Sequence, residues 1–413
     1  MVEVRCRSRD NNAVIYENVH SQIVPIADET ADETERILGG LNRPATHNKE
    51  EPFMDRPNII LFVVDSMSYL NWLRELRKTL AVLKDEYEAF VFEGHVKMTK
   101  RRLRPIFALN WLSEYSHGDN LINALDDDFG AFFKRNAKLL SEDSFVFVMG
   151  DHGPRYHPIR QTIIGRFEDN MPFFSMHVPN RLLRRYPQLR RTLRHNTQRL
   201  STHWDLHVTL REIFELGTSN RWHEIGDSRQ PIEHYHRDFG AKNGLSLLRE
   251  LPHNRTCRTA GVSREYCYCQ TERPIDVNHA NVRAAAQSLI NHLNFRAKIF
   301  SECVPLRLHK VERALVFIPD KPVFVDEKIL QAKRDEIDYR ITVTAAPSGG
   351  IFEGVLRVRG AAEVSKTGDP FIVLGRVSRT NAYGWQSDCI AGTQQQRDTC
   401  YCRRHLHRAP LPI

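Results

Sequence analysis

Two stretches constrain this 413-residue chain more than any others: Asn58–Asp65 (NIILFVVD) and Ser144–Gly153 (SFVFVMGDHG). Each is a run of β-branched and aromatic apolar residues that stops abruptly at a carboxylate. Runs without polar alternation fit strands buried on both faces of a parallel sheet. In open α/β sheets, ligands bind at the carboxyl ends of the strands. Asp65, Asp151 and His152 are therefore expected along one rim. Hard oxygen and imidazole donors meeting there suit a divalent cation such as zinc. Taken singly, either segment is explained as well by an Asp capping the next helix with a surface His beside it. The pair favours the cation.

A third element is Ser201–Glu215 (STHWDLHVTLREIFE), which opens on a Ser/Thr cap and continues at helical spacing. Trp204, Val208 and Ile213 are expected to face the body of the domain. Asp205 and His207 fall in the first turn, within reach of a neighbouring strand edge. A histidine there is ordinarily a packed helix residue. Only the company of Asp65, Asp151 and His152 makes His207 a ligand candidate.

The pattern divides the chain into an extended lead-in (1–56), an α/β core (57–220), a connecting region (221–280) and a cysteine-rich α+β part (281–413). Within the core, alternating strand and helix patterns predict a doubly wound, mostly parallel sheet. The elements expected there are a helix Tyr69–Leu83 capped by Ser68, a strand Ile106–Leu112, a helix Leu121–Leu140 and a strand Met171–Val178. Residues 221–253 are rich in His, Arg and Asp and read as a surface connection. Beyond them, Ala284–Leu293 reads as helix, and Val311–Phe317, Tyr339–Ala345, Ile351–Val358 and Phe371–Val377 as strands. Hydrophobic residues make up 41% of the chain, and no apolar stretch approaches the roughly 20 residues of a membrane span. The opening MVEVRCRSRD is charged and polar, unlike a signal peptide.

Of the eight cysteines, Cys257, Cys267, Cys269, Cys303, Cys389, Cys400 and Cys402 cluster in the C-terminal part; the eighth is Cys6. The even total and the clustering of seven toward the C-terminus read as a disulfide framework. The two C-x-C pairs leave a small zinc site as the alternative, although the usual C-x₂-C spacing is missing. Asn254-Arg255-Thr256 is a glycosylation sequon and agrees with an extracellular or secretory setting. Much of the net charge of +8 lies in Arg181–Arg199, which holds seven arginines. Such a run suits an anionic partner such as a sulfated glycan or acidic lipid, but more simply reads as a solvated helix face. No nucleic-acid fold motif accompanies it, so nucleic-acid binding is not expected.

The ordered set PNIILFVVDSMS, FALNWLSEYSHGDN, FVFVMGDHG, GRFEDNMPFF and STHWDLHVTL resembles the alkaline phosphatase/sulfatase superfamily. It is most similar to that superfamily's nematode-rich group of sulfatase-like proteins, filed as a domain of unknown function. The likeness is strong over residues 55–220 and looser beyond, where CRTAGVSREYCYC and SDCI…DTCYC also match. It implies an alkaline-phosphatase-like core and one or two divalent metals, usually zinc, on the first-strand Asp, the Asp-His pair and a late His. Carried over by position, these are Asp65, Asp151, His152 and His207, with His117 and Asp119 of SHGDN at the middle acidic/His motif. The activity implied is hydrolysis of a phosphoric or sulfuric ester, with an anionic ester or glycan as substrate.

The chain departs from that pattern between its first and second metal motifs. Asp65 and Asp151 stand only 86 residues apart, and FVFEGHVKM runs straight into TKRRLRPIFALNWL. The family's nucleophile segment, of the form G-D-[GN]-T-x-P-N, is not found there, nor is a sulfatase-type C-x-P-S-R. An internal segment is expected to be missing near 98–104. Thr99 lies at the join and is the positional candidate for nucleophile; Ser66 and Ser68 are candidates by proximity to Asp65. Val2–Pro25 resembles the group's extracellular lead-in, which implies a signal or anchor upstream. Two functions follow: a metal-dependent ester hydrolase, or a non-catalytic extracellular protein that keeps the fold.

Overall fold

A computed structural model describes residues 2–7, 14–20, 57–93, 95–96, 108–113, 122–219, 221–225, 243–318, 337–360, 364 and 368–407. The chain divides into two compact units, Met1–Pro52 and Phe53–Ile413. In the first, strands β1 (Val2–Arg7) and β2 (Val14–His20) pair antiparallel; the rest of the expected lead-in lies outside the described residues.

The second unit is mixed α/β. Its first sheet contains β3 (Asn58–Val64), β4 (Phe90–Val91), β6 (Ala108–Leu112), β7 (Ser144–Gly150) and β8 (Phe174–His177) in the order β4-β8-β7-β3-β6. The two apolar runs are the neighbouring central strands β3 and β7, parallel and in register from Asn58↔Ser144 to Val64↔Gly150. Every residue of β7 is buried, as a central strand covered on both faces must be. Only β3, β6 and β7 are parallel, whereas β8 runs antiparallel to β7 and β4 antiparallel to β8. The expected mostly parallel sheet is thus a mixed one. The helix between β7 and β8, Ile163–Asn170, has eight residues and spans only about 12 Å. The Phe173 N–H bonds Met67 O at 3.0 Å, so the chain re-enters at the same rim it left and must run back antiparallel.

Around this sheet lie α1 (Tyr69–Glu75), α2 (Arg77–Asp85), α3 (Asp126–Asp143), α4 (Ile163–Asn170), α5 (Asn180–Arg185), α6 (Gln188–Thr197) and α7 (His203–Ser219). The single helix expected over 69–83 is two, because Leu76 leaves helical geometry (φ −115°, ψ 50°). Asp126 accounts for the restart: its carboxylate accepts from the N–H groups of Lys78 and Thr79, both at 2.8 Å, capping α2 from another element. Ser68 does cap α1, accepting from the Asn71 N–H at 3.0 Å. The helix expected from Ser201 begins at His203, since Ser201 and Thr202 form a two-residue strand, β9, beside β5 (His95–Val96).

The second sheet is antiparallel, in the order β10 (Glu272–Pro274), β11 (Arg307–Phe317), β12 (Asp338–Ala346), β13 (Gly350–Val358) and β14 (Phe371–Arg379). Helix α8 (Ala280–Ala297) packs Val282, Ala285, Ala286, Leu289, Ile290 and Leu293 onto it. Disulfides join Cys257–Cys267, Cys303–Cys400 and Cys389–Cys402, so three of the four sulfurs of the C-x-C pairs are held in disulfides rather than offered to zinc. Cys269 is exposed and outside these three bonds. The surface connection expected at 221–253 is in part core. Leu247, Leu248 and Leu251 are fully buried, held by Asn196, whose side chain bonds the backbone of Leu247, Arg249 and Leu251. No helix among the described residues is long and apolar enough to cross a membrane.

One buried group gives this fold a pH dependence. His95 stacks on Phe174 (centroids 4.4 Å apart), meets His203 edge-on and bonds Ser201 Oγ through Nδ1 at 2.9 Å. Burial, then the charges of His203 and Arg255, hold its pKa well below the usual imidazole range. The unfolded chain therefore takes up this proton first as pH falls. The contribution of His95 is complete above about pH 6.5 and shrinks below it, by up to about 1.4 kcal/mol per pH unit. Urea unfolding at about pH 7.5 and about pH 5.5 should show this loss, and His95→Asn should flatten the slope. An equal slope in the variant would refute the assignment.

Candidate metal centre

Register alone brings the first two carboxylates together. Val64 of β3 opposes Gly150 of β7, so Asp65 and Asp151 leave adjacent strands side by side. The Asp65 N–H bonds Leu112 O at 2.8 Å, continuing the ladder to β6 by one residue. Ser66 then turns the chain with φ 57°, a left-handed conformation uncommon for a non-glycine residue. Its N–H bonds Asp151 Oδ1 at 3.0 Å, and its hydroxyl donates to Asp65 Oδ1 at 3.0 Å. The strained turn thus orients both acids.

His152 completes the group. Its ring Nδ1 lies 2.7 Å from Gly153 O. A carbonyl only accepts, so Nδ1 carries a proton and Nε2 is the ring atom turned toward the carboxylates. Nε2 is 3.4 Å from Asp151 Oδ2 and 3.7 Å from Asp65 Oδ1. One donor atom from each of Asp65, Asp151 and His152 falls within 4.8 Å of the others. Oxygen, oxygen and imidazole nitrogen at that spacing fit a divalent cation, and each donor is oriented by an outer hydrogen bond, as metal ligands generally are.

The glycines of GDHG have a steric role. A Cβ on Gly150 would lie 2.1 Å from Met67 O, and one on Gly153 2.0 Å from Glu168 O. Both strand ends run backbone-to-backbone against the segments that follow β3 and precede β8. Glu168, itself buried, accepts from Ser68 Oγ (2.9 Å) and from both terminal nitrogens of Arg74 (2.9 and 2.8 Å). Ser68 is thereby committed to structure. Sequence reasoning passed over Glu168 and Asp169, although the acidic pair in GRFEDN was the available signal.

His207 is not among the residues whose donor atoms fall within 4.8 Å of one another. Helix α7 is anchored through Asp205, whose carboxylate accepts from the N–H groups of Thr202 and Leu245 (both 2.7 Å) and pairs with Arg255. Two residues on, a side chain points to roughly the opposite side of a helix. His207 there lies edge-on to Trp204, its pKa lowered by burial and then by Arg211. Thr99, His117 and Asp119 lie outside the described residues. Asn254 of the sequon is exposed.

The close approach at Gly153 is testable. Gly153→Ala forces Glu168 and the His152 loop apart and should lower stability by about 1–3 kcal/mol in urea unfolding. Gly130→Ala, in helix α3 with its nearest neighbours at 3.6 Å, should instead raise it by about 0.5–1 kcal/mol. Equal midpoints for Gly153→Ala and the parent would remove the steric account of the motif.

The model of one family, described as "Protein of unknown function (DUF229)", matches residues 1–101 and 97–312. Neither the curated proteins nor the solved structures include a match. With well over half of its length covered, the chain belongs to the DUF229 family.

Proposed function

We propose that this chain is a sulfatase/phosphatase-like protein of the alkaline phosphatase superfamily that holds zinc on Asp65, Asp151 and His152. The observation carrying this reading is His152 Nε2, turned by the Gly153 carbonyl toward carboxylates from two adjacent strands. When bound, the cation would polarise a phosphoric or sulfuric ester and lower the pKa of a coordinated hydroxyl. The protein's own contribution is positional. Asp65 and Asp151 supply two negative charges, Ser66 fixes the oxygen that each presents, and Gly153 O sets the tautomer of His152.

A second reading concerns catalysis. Between Asp65 and Asp151 the sequence has no segment of the G-D-x-T kind. The two family-matched stretches meet at 97–101, around Thr99. This favours a non-catalytic, cation-binding protein for the chain as it stands, descended from an ester hydrolase. Three disulfides and the exposed Asn254 sequon support an extracellular or secretory setting.

Metal analysis of the full chain after zinc loading and dialysis tests the first reading. The parent should retain zinc, His207→Ala should retain it equally, and Asp151→Asn and His152→Ala should each bind at least about 100-fold more weakly. Zinc retained undiminished by both of the latter, or lost only in His207→Ala, overturns the ligand set. Transcript sequencing across Met98–Thr99 decides between the readings. An in-frame insert bearing a G-D-x-T segment restores the hydrolase, and its absence leaves the binding protein.

A further inference from the structure

Residues just beyond GDHG meet the second sheet in a cluster with more positive than negative charge. Arg155 lies over the ring of Tyr156 (5.5 Å), and Tyr156 meets Tyr383 at 6.0 Å. Arg379 lies over Tyr383 at 5.5 Å. The one carboxylate shared by these groups is Asp398. It accepts from the Tyr156 hydroxyl at 3.3 Å and pairs with Arg376 Nη2 at 3.2 Å. Arg379 Nη1 donates to the backbone carbonyl of Asp398 at 3.1 Å rather than to its carboxylate. Glu265, the next acid, accepts from the backbone N–H of Arg376, not from its guanidinium. Three guanidinium groups therefore surround one carboxylate.

Two of the nitrogens are also under-used, whereas Arg379 is engaged through Nε with Asn381, Nη1 with the Asp398 carbonyl and Nη2 with Gln386. Nε of Arg155 and Nε of Arg376 are both buried and find no acceptor among the described residues. A buried charged donor left in that condition costs free energy unless something accepts from it. Planar guanidinium forks beside aromatic rings match the oxygens of sulfate and phosphate groups. Arg155 follows His152 by three residues, so their Cα atoms are at most about 11 Å apart, within the span of one small ester.

We propose that Arg155 and Arg376, backed by Tyr156, Tyr383 and the fixed guanidinium of Arg379, form an oxyanion subsite that takes a second sulfate or phosphate group of the substrate. This rests on the cation site of the preceding section for its meaning but not for its chemistry. The substrate class is then a polyanionic ester, one anionic group at the Asp65–Asp151–His152 rim and another at the arginines. Asp398 acts as an internal competitor that holds Arg376 in place until the anion arrives.

Calorimetric titration of the EDTA-treated full chain with inorganic sulfate, and separately with inorganic phosphate, tests this. The parent should bind at least one of them without metal, and the tighter of the two identifies the group. Arg155→Gln and Arg376→Gln should each weaken binding by about tenfold. Asp398→Asn should tighten it, a gain that misfolding cannot produce. Asp65→Asn should lose zinc and keep the anion. Unchanged affinity in both arginine variants, weakened binding in Asp398→Asn, or no binding by the parent overturns the subsite. Anion binding that needs zinc and disappears in Asp65→Asn places the oxyanion on the cation, so the subsite falls while the metal reading stands. Anion binding with the expected arginine dependence but no zinc uptake does the reverse.

Discussion

The carboxylate of Glu353, buried on β13, joins the rim of the first sheet to the second sheet within the larger unit. It receives Arg160 (3.3 Å), Arg313 (3.2 Å), Arg340 (3.5 Å) and the Thr342 hydroxyl (3.2 Å). Burial alone would push this carboxyl up, but Arg160, Arg340, Arg166 and Arg313 together hold it below the usual carboxylate range. Arg160 also pairs with Asp169 (2.9 Å), and the backbone carbonyl of Asp169 receives the Gly153 N–H (3.0 Å). Arg166 and Arg340 share Glu272 on β10. The loop that carries His152 is therefore tied through alternating charges to the antiparallel sheet. Four cations against three anions leave the network nearly neutral, which is how so many charges are tolerated out of water. Removing one member would strand the others, so the network specifies one docking of sheet on rim.

Much of the architecture was legible because period and burial leave a direct trace. The runs at 58–64 and 144–150 could only be central strands, and their lengths set the register that places Asp65 beside Asp151. The C-terminal strands and α8 were also found, short at their ends by a few residues, since strand ends carry less pattern than strand centres. The direction of β8 was not legible. Its apolar residues suit either orientation, and what decides is the short reach of α4, a matter of length rather than hydrophobicity. The break at Leu76 was equally hidden, because the cap that restarts α2 comes from Asp126, 47 residues from Thr79.

At the rim, sequence order and spatial convergence part company. Asp65, Asp151 and His152 converge because β3 and β7 are hydrogen-bonded neighbours. His207 had no such guarantee: it rides on a helix, and a helix can be rotated by whatever anchors it. Here Asp205 is the anchor, with Arg255 and Leu245 as its partners, and Leu245 comes from the stretch that composition had marked as surface connection. Polar letters at 221–253 masked the three leucines that pack there. The arginine-rich stretch 181–199 illustrates the opposite case. Its leucines at 182, 183, 189 and 193 enter the core, while Arg181 pairs with Asp143 and Arg190 with Glu88 on the outer side. Of its seven arginines, Arg181, Arg184, Arg190 and Arg194 pair with neighbouring carboxylates, as on a solvated helix face.

The cysteines bear on the same rim from the far end of the chain. Cys400 lies two residues after Asp398, and its bond to Cys303 closes a loop across 97 residues. Cys402 and Cys389 close a second loop around the same segment. Without them, Asp398 would hang on a stretch holding one short helix, Gln394–Arg397, and the entropy of that segment would blur any charge arrangement beside Tyr156. With them, the segment is fixed against α8 and β14, where Arg376 and Arg379 sit. A cysteine framework remote in sequence from GDHG thus shapes the surroundings of the loop that GDHG begins. No local motif announces this, because the relevant spacing is measured through the fold and not along the chain.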